Sequence, residues 1–139
     1  MTPTAHSVYY GMGKQRRYIS FAKKIAEQSN YGKFRHGAIL VKGSSIRNVA
    51  CNKHRHCGFG KRFREHNDGD ATLHAELGAI LGIDRNITQG STIYVVRINR
   101  EGQSRMSKPC PMCESAMKHV GVKRVVYTNR DGRIENMTL

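Results

Sequence analysis

The chain predicts an α/β fold, a sheet covered by helices in three layers, with a mixed central sheet of about five strands. Three observations carry this. Five short segments bounded by turn residues read as strands, Thr92 to Val96 most clearly because it is β-branched and aromatic. Three stretches place apolar residues at helical spacing. The two kinds of segment follow one another in the order α-β-β-α-β-α-β-β, which a layered helix-on-sheet architecture satisfies.

The first helix is read from Tyr18, Phe21, Ala22, Ile25 and Ala26, one apolar stripe at i, i+3, i+4, i+7 and i+8. It ends around Ser29-Asn30, and residues 1–13, with Pro3, Gly11 and Gly13, read as a loose lead-in. Ala38 to Val41 and Ile46 to Cys51 are strands joined through Lys42-Gly43-Ser44-Ser45, a hairpin. Asn52 to Asp70 is a long polar loop carrying Lys53, Arg55, Lys61, Arg62 and Arg64, and loops of such length within a domain are commonly functional or disordered. The second helix begins near Thr72 or Leu73, buries Leu77, Ile80 and Leu81, and stops at Gly82. Thr92 to Val96 is a strand and Asn99 to Lys108 a polar loop. A third helix opens at the Cys110/Cys113 pair and stops at Gly121; Val122 to Thr128 and Arg133 to Met137 then form a final hairpin about Asn129-Arg130-Asp131-Gly132.

At 139 residues the expectation is one domain. No run approaches the ~20 apolar residues of a membrane span. Met1 to Tyr10 lacks the apolar core of a secretory signal. With four cysteines in metal-type spacing, the expected setting is the reducing cytoplasm. A formal net charge of +14 implies anionic partners, either nucleotide phosphates or a nucleic-acid backbone.

The chemistry concentrates in two short segments. His74-Ala75-Glu76 and Pro109-Cys110-Pro111-Met112-Cys113 each stand where a helix begins. Singly they are weak: a His-x-Glu triplet arises by chance, and Cys-x-x-Cys also serves redox chemistry. Together, one His, two Cys and an unbound Glu suit a catalytic zinc with three protein ligands and one open position. Pro111 fits the first helical position, so Cys110 caps that helix and Cys113 lies in its first turn. There the helix dipole favours thiolate, the form a metal requires. His74 and Glu76 are two apart and would diverge on a regular helix, so His74 is expected within about a residue of the helix start.

These motifs resemble the zinc-dependent cytidine/deoxycytidylate deaminase superfamily, over roughly Arg16 to Tyr127. The resemblance implies an α/β/α sandwich, one zinc held by His74, Cys110 and Cys113, and Glu76 as proton shuttle. It also implies a backbone contact from Ala75 to the base and a sugar or base contact from Asn52. Ser107-Lys108-Pro109-Cys110 differs from the Glu-Pro-Cys of the tRNA-adenosine branch, which weighs against an adenosine substrate. The segment after Asn52 lacks the Asn-Gly-x-Pro-x-Gly stretch of nucleoside triphosphate regulation, so control by dCTP and dTTP is not expected.

Two functions follow. The first is deamination of a free cytosine nucleotide, dCMP to dUMP, with Lys53 or Arg55 near the phosphate and Tyr127 either stacking on the base or packed as an ordinary strand aromatic. The second is editing of cytosine or adenosine in single-stranded DNA or RNA, favoured by the charge and disfavoured by 7% aromatics without tryptophan. Cys51, His54, His56 and Cys57 could hold a second, structural zinc, but are read in preference as a buried thiol and loop polar residues. Homo-oligomers are the family's habit, and one is expected here.

Overall fold

The computed structural model describes residues 3–30, 34–56 and 72–139, with side chains for 13–30, 34–52 and 74–139. Helix α1 (Pro3–Ala26) precedes strands β1 (Arg35–Lys42), β2 (Ser45–Cys51), β3 (Lys53–His56) and β4 (Thr72–Leu73). Helices α2 (Ala75–Ile80) and α3 (Arg85–Thr88) follow, then β5 (Thr92–Ile98), β6 (Ser104–Arg105), α4 (Pro111–His119), β7 (Arg124–Thr128) and β8 (Ile134–Thr138). The main sheet runs β2-β1-β5-β7-β8, with β6 also paired to β5. Among the described strands only β5 and β7 pair in parallel, so the sheet is mixed, as expected. Strands β3 and β4 form a separate two-stranded ladder.

The continuous apolar runs exist because the sheet is covered on both faces. On one face Ile39, Val41, Tyr94, Val96, Ile98 and Val126 pack against Ile19, Ala22, Ile25 and Ala26 of α1. On the other, Ala38, Leu40, Ile93, Val95, Val125 and Tyr127 meet Ala75, Leu77, Ala79 and Ile80 of α2 and Met112, Cys113, Ala116 and Met117 of α4. Alternate residues of each strand thus enter different cores, the period-two rule applied to both sides at once. Among the described residues no helix is long and apolar enough to cross a membrane.

Several boundaries differ from the sequence reading. Helix α1 starts at Pro3, so most of the expected lead-in is helical; Pro is compatible with a helix's first turn, and interior glycines weaken a helix without forbidding it. It ends at Ala26, a turn earlier than expected. Its buried stripe takes in Ile19, while Phe21 at the stripe's edge is 39% exposed. Thr72 and Leu73 are a strand and not the start of α2, because they pair with Lys53 and His56 across the loop. Ser104 and Arg105, expected in a loop, pair with Ile98 and Arg97. Helix α3 lies in the expected linker, capped by the Asp84 carboxylate accepting from the Asn86 N–H at 2.9 Å.

Both hairpins match their turn chemistry. Gly43 and Ser44 have φ of 58° and 66°, the two positive values of a type I′ turn. The Ser44 strain is offset by Tyr18, whose hydroxyl donates to the Ser44 carbonyl at 2.9 Å. Gly37 serves the site end of the sheet in another way. A Cβ there would lie 2.1 Å from the Ala22 carbonyl oxygen and 2.4 Å from the Ala26 nitrogen, both backbone atoms of α1. We expect Gly37→Ala to cost about 3 kcal/mol through this overpacking. Thermal unfolding should then fall by roughly 10 °C in a chain of this size, and a shift under about 2 °C would contradict the contact.

Candidate zinc and substrate site

Two helix starts converge on the same face of the sheet. His74 is the N-cap of α2, with extended backbone (φ −72°, ψ 153°) and no capping bond from its side chain. Cys110 occupies the same place on α4 (φ −70°, ψ 163°), followed by Pro111. Because the cap residue has not entered the helix, His74 and Glu76 are freed from the opposed directions that two-residue spacing would otherwise impose. The ligand atoms of His74, Cys110 and Cys113 all lie within 4.8 Å of one another. His74 Nδ1 is 3.2 Å from Cys113 Sγ and 3.8 Å from Cys110 Sγ. These distances bracket the separation of about 3.6 Å that N and S donors adopt around a tetrahedral zinc.

The electrostatics fit the same ion. Hydrogen bonding from Cys113, then from His74, pulls the Cys110 thiol down to about 4, well into the thiolate range. The Cys110 sulfur in turn raises the His74 pKa. Glu76 is 4% exposed, and burial drives its carboxyl above the usual carboxylate range, against the pull of its own backbone N–H and of His74. The donor set, its geometry and its protonation all suit zinc.

A cavity of about 290 Å³ opens beside these groups, lined by Phe34, His36, Asn52, His74, Ala75, Glu76, Lys108 and Cys110. It is a size that suits a small-molecule ligand. Ala75, in the first turn of α2, has a backbone N–H with no intrahelical acceptor. Asn52 is buried, and its amide fastens two segments: Oδ1 accepts from the His36 N–H at 2.8 Å and Nδ2 donates to the Phe34 carbonyl at 2.7 Å. Ser29 completes this joint by donating to the Asn52 carbonyl at 3.0 Å. Asn52 therefore shapes the wall and keeps one Nδ2 hydrogen for a ligand.

Tyr127 is a correction. It is 7% exposed within the α2/α4 core and is absent from the cavity wall, because register places its side chain between strand and helices. The side chains of Lys53, Arg55, His54 and His56, and all of Cys57, lie outside the described residues. Cys51 packs against the α1-side core, and among the described residues His74, Cys110 and Cys113 are the one cluster fit for a metal.

Sequence reasoning missed Phe34, His36, Lys108 and Ser107. Ser107 is 2% exposed; its Oγ donates to the Val95 carbonyl at 2.9 Å and accepts from the Thr128 N–H at 2.8 Å. This clamp fixes the segment that delivers Lys108-Pro109-Cys110. His36 is held neutral: burial lowers its pKa to about 4, with the His74 and Arg97 charges adding to the effect. Between about pH 6.5 and 4 the unfolded chain therefore binds a proton that the folded chain does not, so stability falls on acidification through that window. His36→Gln should flatten the fall by up to about 3 kcal/mol, read as the wild-type-minus-variant difference in unfolding free energy from urea titrations across that pH window. Parallel curves for the two proteins would refute the buried, neutral histidine.

A family model for the cytidine and deoxycytidylate deaminase zinc-binding region matches residues 12–129. The chain belongs to that family. This deaminase-family chain is 26% identical over 125 residues to a deoxycytidylate deaminase of Mycobacterium phage D29, covering 79% of the chain and 90% of the relative. Its fold is similar to that of a dCMP deaminase from the cyanophage S-TIM5, at a TM-score of 0.57 and 23% identity, covering 94% of this chain and 86% of that one. It is similar also to a cytidine deaminase from Burkholderia pseudomallei, at a TM-score of 0.59 and 22% identity, covering 88% and 91%.

Proposed function

We propose that this chain is a zinc-dependent hydrolase that deaminates a cytosine nucleotide, converting dCMP and water to dUMP and ammonia. The observation that carries the proposal is the buried Glu76 carboxyl in one cavity with His74 and Cys110, with Cys113 completing the zinc-type donor set. His74, Cys110 and Cys113 are the ligands. When bound, zinc supplies a Lewis acid that makes water a competent nucleophile near neutral pH. Glu76 carries one proton of the attacking water to ring N3. It then carries the remaining proton of the new C4 hydroxyl to the departing amine as the C4–N bond breaks, which returns Glu76 to the carboxylate. Burial raises the Glu76 pKa above the usual carboxylate range, which strengthens the carboxylate as a base toward water. The Ala75 N–H holds the base and Asn52 the sugar. A single domain, a homo-oligomer and a cytoplasmic setting belong to the same reading.

Nucleic-acid editing is the competing reading. Arg16, Arg17 and Lys24 are exposed on α1 beside the half-exposed ring of Phe21, a surface that suits a polyanion. Ammonia release from cytidine, CMP, dCMP, dCTP, single-stranded DNA and a tRNA hairpin separates the two. We expect dCMP to be preferred, with a shallow salt dependence; activity confined to the polymers, with a steep salt slope, would overturn the proposal.

A further inference from the structure

The outer wall of the cavity is cationic, and among the described residues its cations have no anionic partner. Lys108 lines the cavity and is exposed, and among the described residues its ammonium meets no acceptor. Behind the wall, His36 of β1 stands opposite Arg97 of β5, and Arg97 opposite Arg105 of β6. Directly opposed residues share a face, and His36 fixes that face as the cavity side. The Arg97 guanidinium carbon sits 4.7 Å from the centre of the Phe34 ring, itself 43% exposed at the cavity wall. Arg97 Nε is buried and unpartnered, so its remaining donors are on Nη1 and Nη2. The one ion pair among the described residues joins Lys118 to Glu114 on α4. A guanidinium packed on an aromatic face and supplied, among the described residues, with no carboxylate is prepared for an incoming anion.

We propose that Lys108 and Arg97 bind the 5′-phosphate of the nucleotide, so that this pair sets the preference for nucleotide over nucleoside. The inference rests on the deaminase reading above. Lys108 contributes a compact charge at the wall, and Arg97 a planar donor pair held by Phe34. Arg105 provides an internal control. Its Nη1 donates to the Ser104 carbonyl at 3.3 Å and its Nη2 to Gln103 Oε1 at 2.8 Å, so its donors are engaged.

The test compares zinc-loaded full-length protein with Lys108→Gln, Arg97→Gln, Arg97→Lys and Arg105→Gln. Two pairs are measured: kcat/KM for dCMP against deoxycytidine, and calorimetric affinity for dUMP against deoxyuridine. Each Gln change at Lys108 or Arg97 should reduce the preference for the phosphorylated member by about 10- to 100-fold, mainly through KM and affinity. Arg97→Lys should recover part of it, and Arg105→Gln should leave it in place. An undiminished preference in both Gln variants, or equal losses on both members of each pair, would overturn the assignment. Because binding is read without turnover, the two readings fail separately. No turnover with a Lys108- and Arg97-dependent preference for dUMP sinks the reaction and keeps the subsite. Equal binding of dUMP and deoxyuridine sinks the subsite whether or not dCMP is consumed.

Discussion

Glu76→Gln is expected to keep a full complement of zinc while losing turnover by about 10²- to 10⁴-fold, the range that general acid–base catalysis supplies. The substitution nearly preserves shape and replaces the titratable carboxyl with a neutral amide that cannot carry a proton. Glu76 is buried beside His74 and Cys113, yet the donor atoms that cluster belong to His74, Cys110 and Cys113. Loss of the carboxylate therefore takes no ligand from the metal. It also leaves α2 intact, because Leu77, Ala79 and Ile80 anchor that helix. Zinc per chain by atomic emission and ammonia release on dCMP give the two readings. A variant that lost zinc together with activity would make Glu76 a ligand; one that kept activity would remove it from the chemistry.

The same helix illustrates how far the sequence alone could be read. Its apolar residues and the His-x-Glu triplet are local signals, and a histidine at the irregular start is a stereochemical demand of that spacing; His74 is the N-cap. The strands β1, β5 and β7 were legible for a similar reason, since burial on both faces leaves a continuous apolar run. What escaped depends on partners distant in the chain. Thr72 and Leu73 carry no strand pattern until Lys53 and His56 pair with them, and Ser104 and Arg105 until β5 does. Phe34 and His36 enter the cavity wall because Asn52 bonds to both and Gly37 lets β1 approach the backbone of α1. No local spacing encodes that arrangement. Ser107 did leave a trace, a small hydroxyl residue just ahead of Lys108-Pro109-Cys110, but only the pairing of β5 with β7 makes it a clamp between them. Tyr127 failed in the opposite sense: an aromatic near the site by sequence order was claimed by the core.

Removal of a ligand should act more severely than removal of the shuttle. Cys113 is fully buried within the α2/α4 core, while His74 and Cys110 are partly exposed at the cavity. Cys113→Ala and His74→Ala are each expected to abolish stoichiometric zinc binding and bring turnover to the assay background. Their stability should differ in a way that Glu76→Gln does not. A ligand that binds only the folded state stabilises it by mass action, so chelation should lower the wild-type unfolding temperature. The His74→Ala protein, having no zinc to lose, should unfold at a temperature indifferent to chelator. Glu76→Gln should keep the full zinc-dependent increment. The chelated wild type and His74→Ala should also regain nothing in common on adding zinc, since only the former has its donors. If His74→Ala or Cys113→Ala retained one tightly held zinc per chain, the three-ligand centre would be wrong, whatever their turnover.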